Sequence, residues 1–189
     1  MRIIAGRYGG RRLEVPGGKL VRPTGDRMKE SIFSALGSRC REARVLDLFA
    51  GSGALGLEAL SRGASALTLV EQSGSSIRTL KKNIAALGVE SCCTVIQADV
   101  FSFLRNLREQ DSFDLVFADP PFDSSGAQEV LSNWIAGRPA TEVLVLEFRS
   151  NLLLQVPEGT VEVVKNAAFG ESSYNVFCLT SLEHTGEPS

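Results

Sequence analysis

Four consecutive residues, Asp119-Pro120-Pro121-Phe122, carry the most specific chemistry in the chain. Adjacent prolines lack N–H donors and cannot continue a strand, so they fix a rigid, extended turn. The turn offers two acceptors, the Asp119 carboxylate and the Pro120 carbonyl, and an aromatic face from Phe122. Two acceptors aimed at one point suit an amino group with two N–H donors. The aromatic face suits a flat ring that needs a stacking partner once it leaves a nucleic-acid helix. Upstream lies Asp47-Leu48-Phe49-Ala50-Gly51-Ser52-Gly53-Ala54-Leu55-Gly56. Gly51 and Gly53 let a backbone approach a ligand where a side chain would block it, and Gly56 lets the following helix pack closely. Taken alone, this glycine spacing is a weak signal. Glu71 follows Gly53 by 18 residues and can accept both hydroxyls of an adenosine ribose. Asp99 can accept from an adenine amino group, with Val100 beside the ring. Asp99 is also a good N-cap for a helix starting at Val100, and the two roles are compatible.

The elements around these residues alternate regularly. Strands are expected at 44–49, 66–71, 93–98, 113–118 and 142–148, and helices at 54–61, 75–87, 101–107 and 127–135. Such alternation implies crossover connections and a parallel sheet covered on both faces, whose carboxyl edge binds ligands. The glycine loop, Glu71, Asp99 and the Asp119 turn all fall at strand ends, on that edge. Residues 161–168 and 173–180 look like an antiparallel hairpin around Phe169-Gly170-Glu171. Before the first strand, Met28, Ile32, Phe33 and Leu36 have helical spacing over 26–36, with Thr24 or Asp26 as a possible cap. Residues 1–20, with Gly9-Gly10 and Pro16-Gly17-Gly18, read as a hairpin-like arm. The expected organisation is a basic arm and helix over 1–40, a catalytic domain over 41–182 and a tail at 183–189.

Composition narrows the function. Apolar residues make up 43% of 189 and charged residues 22%, enough for one sizeable core. No apolar run approaches the roughly 20 residues of a membrane helix. The opening Met1-Arg-Ile-Ile-Ala-Gly6-Arg7 does not read as a signal peptide, so a cytoplasmic location is expected. Cys40, Cys92, Cys93 and Cys178 form no CxxC pair, and His184 is the one histidine. Zinc sites and Ser-His-Asp triads lose their usual residues, and no metal is expected. The net charge of −2 hides an asymmetry, with residues 1–44 at +7 and residues 45–189 at −9. A basic arm on an acidic body fits an arm that meets phosphates. Its RNA-contact candidates are Arg7, Arg11, Arg12, Arg22 and Arg27, although Arg22 or Arg27 could instead pin the arm to the body.

The order of glycine loop, Glu71, Asp99 and DPPF resembles class I S-adenosylmethionine-dependent methyltransferases that modify exocyclic amino groups. Arg2-Ile-Ile-Ala-Gly6, Gly10-Arg-Arg-Leu13, Pro16, Arg22-Pro-Thr-Gly-Asp-Arg27, Glu30, Phe33 and the run Leu55 to Gly63 are similar to the RsmD family, over about residues 1–180. The resemblance implies a doubly wound, mostly parallel seven-stranded α/β sheet. It implies transfer of a methyl group to N2 of a guanine in 16S ribosomal RNA, at nucleotide 966 in the usual numbering, within the small subunit. It carries Asp47, Phe49, Ala50, Gly51, Ser52, Gly53, Glu71, Asp99 and Val100 to the cofactor, and Asp119, Pro120, Pro121 and Phe122 to catalysis. A monomer is expected.

Rival readings stay open at this stage. An adenine-N6 or other amino-group methyltransferase would use the same turn. An NAD-dependent oxidoreductase would use the glycines but would leave DPPF unexplained, and no Tyr-Lys or His proton relay is evident. A non-catalytic RNA-binding module would have no need of the intact loop and turn.

Overall fold

A computed structural model describes residues 1–17, 25–108, 111–122 and 125–180. Arg22, Pro23, Thr24 and the 183–189 tail lie outside the described residues. The elements in chain order are α1 (Asp26–Leu36), β1 (Arg44–Leu48), α2 (Ala54–Ser61), β2 (Ala66–Glu71), α3 (Gly74–Leu87), β3 (Cys93–Gln97), α4 (Val100–Arg105), β4 (Leu115–Ala118), α5 (Gly126–Ile135), β5 (Val143–Arg149), β6 (Val161–Phe169) and β7 (Ser172–Leu179). Seven strands form one sheet in the order β3-β2-β1-β4-β5-β7-β6. The first five are parallel, whereas β7 runs antiparallel to both β5 and β6.

Side chains alternate across each central strand, so the sheet has an apolar layer on both faces. On one face, Val45, Phe117, Val145 and Tyr174 pack with Ile32 and Phe33 of α1, Leu57 of α2 and Leu80 of α3. On the other, Leu46, Val116, Leu144 and Phe177 pack with Leu104 of α4 and Val130, Leu131 and Trp134 of α5. Helices change sides between β1 and β4, which makes that gap the switch point of the sheet. Leu48 pairs with Ala118 and with Val70, so the loops after β1, β2 and β4 emerge together.

The arm is held to the body by polar groups. A single antiparallel bridge, Arg2 with Arg12, closes a turn through Gly6 (φ 84°) and Gly10 (φ 83°). Ile3 and Leu13 drop into the first core layer. Glu58 of α2, fully buried, accepts from Ile4 N at 2.6 Å, Ala5 N at 3.0 Å and Arg62 Nε at 2.8 Å. Its charge is met by Lys29 Nζ at 3.7 Å, with both side chains at 0% exposure. Lys29 also donates to the Arg2 carbonyl. Burial pushes the Lys29 ammonium down, and the Glu58 and Asp26 carboxylates oppose that shift. Ser61 Oγ donates to Ala5 O at 2.6 Å and accepts from Tyr8 N at 2.9 Å. These groups help to pin the arm, and Arg27 is exposed.

The cap expected for α1 is corrected. Its N-cap is Gly25, with no side-chain bond, and Asp26 instead accepts from Arg2 Nε at 2.8 Å.

Candidate active site

The loop after β1 departs sharply from extended geometry. Phe49 takes φ 59°, Gly51 55° and Gly53 79°. Gly53 is the N-cap of α2 and has no side chain to offer the first-turn N–H groups. Asp47 supplies what it lacks: its Oδ2 accepts from Gly56 N at 2.9 Å. This approach needs a glycine at 56, where an added Cβ would lie 2.9 Å from that oxygen and 2.6 Å from Leu67 Cδ1. Asp47 therefore braces the junction of loop and helix from below. It is 3% exposed, and burial raises its carboxyl to about 7 despite the Gly56 bond. Gly53 is also packing-limited, since a Cβ there would lie 2.5 Å from Leu80 Cδ1. At Gly51 a Cβ would meet nothing closer than Phe49 O at 3.8 Å, so this backbone faces open space.

Glu71, at the end of β2, crosses to the same loop. Its Oε2 accepts from Gly51 N at 2.9 Å and its Oε1 from Ser73 N at 2.7 Å. Two backbone donors hold the carboxylate still, and each oxygen keeps a lone pair for a ligand hydroxyl. Asp99 caps α4, with Oδ1 accepting from Ser102 N at 2.8 Å. That bond holds its carboxyl below the usual range, so it is an ionised acceptor at neutral pH.

Val100 is placed differently from expectation. Its side chain is 2% exposed, in the core layer beneath α4. Only its backbone can face a ligand. The half-buried apolar surface here belongs to Phe101 and Phe49, packed edge to face at 5.9 Å. Phe101 was legible as an aromatic two residues after Asp99, but helical spacing alone did not show which way it faced.

The Asp119 turn leaves β4 beside the glycine loop. Asp119 and Phe122 are half-buried, Pro120 is buried and Pro121 is exposed. Burial, then the carboxylates of Glu147 and Asp47, push the Asp119 carboxyl well above its usual range. The register Ala118 with Leu146 sets Asp119 next to Glu147 on β5. Glu147, 5% exposed, was missed in the sequence because it lies within an apolar strand that reads as core. The Arg149 guanidinium lies 5.8 Å from the centre of the Phe122 ring.

The structure thus brings the glycine loop, Glu71, Asp99 and the Asp119 turn to one edge. The arm arginines are not part of this cluster: Arg7, Arg11, Arg12 and Arg27 are exposed, and Arg7 lies over Tyr8 at 5.5 Å.

A sheet of this order, with a glycine loop and an acidic strand end at its switch point, is the class I methyltransferase fold. Within that class the chain belongs to the RsmD family, described as "conserved hypothetical protein 95", which it matches over residues 1–178. Ribosomal RNA small subunit methyltransferase D of Haemophilus influenzae is 37% identical over 183 residues, 94% of this chain and 93% of the relative. The protein of the same name from Escherichia coli K12 is 40% identical over 141 residues, 72% of this chain and 70% of the relative. Among solved structures, Escherichia coli YhhF superposes with a TM-score of 0.82 at 34% identity, covering 95% of this chain and 97% of that one. SMU.776, solved in complex with SAH, shares the fold at a TM-score of 0.66 and 15% identity, over 82% of this chain and 49% of that one.

Proposed function

We propose that this protein methylates the exocyclic N2 of a guanine in 16S ribosomal RNA, using S-adenosylmethionine and releasing S-adenosylhomocysteine (SAH). Nucleotide 966, in an assembling or assembled small subunit, is the proposed target, and a monomer the proposed active form. The carrying observation is the emergence of the glycine loop and the Asp119 turn from neighbouring strands at the switch point. The names of the relatives at 37% and 40% identity support an RNA of the small subunit.

The loop fits such a cofactor. Gly51 presents open backbone, and Glu71 is a fixed acceptor beside it. Ala50 and Ser52 continue the loop around the methionine part, and Asp99 with the Val100 backbone meets the adenine. When bound, S-adenosylmethionine supplies an electrophilic methyl carbon on a sulfonium that departs as a neutral thioether.

The chain's work lies with the nucleophile, because the guanine N2 lone pair is delocalised into the ring. Accepting its N–H groups at Asp119 and the Pro120 carbonyl turns that lone pair toward the methyl carbon and favours the pyramidal amine. Phe122 stacks on the base and sets its height, while Pro121 keeps the turn rigid. Positioning for in-line transfer supplies much of the rate. The proton leaves after the amine has become cationic, so no strong base is needed. Asp119, as the acceptor already bonded to that amine, is placed to take it.

Residues 1–40 are the proposed RNA-binding part and 41–182 the part that holds cofactor and chemistry. Arg7, Arg11, Arg12 and Arg27 present their charges to solvent, as phosphate contacts require, and Arg22 joins them from outside the described residues.

The test is incubation of unmethylated small subunits with labelled S-adenosylmethionine, followed by nucleoside mass spectrometry. N2-methylguanosine is the expected product. N6-methyladenosine, or label in protein, would overturn the substrate assignment.

A further inference from the structure

One buried side chain joins the arm to the loop. Asn83 lies on α3 and is 2% exposed. Its Oδ1 accepts from Glu14 N at 2.8 Å, and its Nδ2 donates to Glu14 O at 2.9 Å and to Ser52 O at 2.9 Å. Both amide hydrogens are therefore used, one on the arm and one on the glycine loop. Leu80, three residues earlier on the same face of α3, limits the room above Gly53. The pair of bonds to Glu14 fixes the chain just past Leu13, where the arm enters the core. Met1 Sδ adds a weaker contact to Ser52 Oγ at 3.5 Å. Only an amide of this length does this work: a carboxylate cannot donate, and a hydroxyl cannot reach both carbonyls while accepting from Glu14 N.

We propose that Asn83 is a positioning residue for the cofactor loop, and that through it the basic arm is part of the cofactor site. Arm docking and cofactor binding then rise and fall together. RNA that holds the arm in place tightens the cofactor, and cofactor in the loop steadies the arm. The inference rests on reading Phe49–Gly53 as the cofactor loop.

A double-mutant cycle on SAH affinity, measured by calorimetry, tests it. Gly6→Ala disturbs the arm far along the chain from Glu14, because a Cβ at Gly6 would lie 1.9 Å from the Ser61 carbonyl oxygen. Asn83→Asp keeps the shape of the side chain but removes both donors. Each substitution alone should weaken SAH about threefold to tenfold, and the double variant should be no weaker than the worse single one. Circular dichroism and melting curves establish that each variant folds. Ser61→Ala replaces Gly6→Ala, and Asn83→Ser replaces Asn83→Asp, if the first choice does not. Additive losses, or single variants with wild-type affinity, would overturn the coupling alone. A wild-type protein that binds no SAH would overturn the cofactor reading and this inference with it.

Discussion

Replacing Glu58 with glutamine should be among the most damaging single-atom changes in the molecule. The Glu58 carboxylate meets the Ile4 and Ala5 N–H groups, Arg62 Nε and the buried Lys29 ammonium. A glutamine side chain there can satisfy one backbone N–H through its oxygen but points an NH2 at the other. It also leaves Lys29, at 0% exposure, without its counter-charge. Removing one partner of a buried pair costs about 3–5 kcal/mol, and the partly exposed Arg62 adds little, so about 3 kcal/mol is expected. For a chain of this size that lowers Tm by about 6–12 °C. Lys29→Met should cost less, because Glu58 keeps Ile4, Ala5 and Arg62. Glu58→Gln with Lys29→Met together should recover part of the loss. The variant's pH response is a second signature. Lys29, already pushed down by burial, loses the stronger of its two opposing carboxylates, so the unfolded chain binds its proton still more tightly than the folded one. Stability of Glu58→Gln should then rise with pH toward the ordinary lysine range. Urea titrations across pH read both effects. A Glu58→Gln midpoint indistinguishable from wild type, with the same pH slope, would refute the reasoning.

Three further outcomes follow from the geometry. Reversing Arg11 and Arg12 to glutamate should weaken RNA binding and reduce the slope of log affinity against log salt by about 1.5, and an unchanged slope would remove them from the interface. Asp47 is raised to about 7 in the folded chain, so its contribution to stability is full below the unfolded value and fades as pH rises through 7. Asp47→Asn should flatten the fall in urea midpoint between pH 5 and 8, and parallel curves would contradict the assignment. Glu71→Ala removes the acceptor for the ribose and the bond to Gly51 N, and should weaken SAH about tenfold to a hundredfold by calorimetry; wild-type affinity would exclude the ribose role.

Much of this fold could be read from periodicity and punctuation. The bounds of α1, α2 and β2 match the apolar spacing, because each is framed by glycine or by a charged turn. The antiparallel β6–β7 pair was visible from the Phe169-Gly170-Glu171 turn. The glycine loop and the Asp119 turn stood out because their residue types are costly anywhere but at a tight strand end. What remained hidden is polar and buried. Lys29, Glu58 and Asn83 look like surface residues in a sequence, since nothing local shows that partners distant in the chain satisfy them. Val100 shows a limit of another kind: adjacency to Asp99 suggested a side chain beside the ring, but the first turn of α4 rotates that side chain into the core and leaves Phe101 half-buried. The arm forms a short hairpin-like pairing, with Ile3 N donating to Arg11 O, Gly10 N to Ile3 O and Leu13 N to Met1 O, while other backbone groups of the arm bond to side chains of α2 and α3.

The central claim is a division of labour between two loops, with the one after β1 holding cofactor and the one after β4 acting on the amine. Asp119→Ala tests it most directly, with SAH affinity and single-turnover methyl transfer measured on the same preparation. The account predicts SAH affinity within about threefold of wild type and a transfer rate lowered about a hundredfold to a thousandfold. Lost SAH affinity with a normal residual rate would place Asp119 in the cofactor site and contradict it.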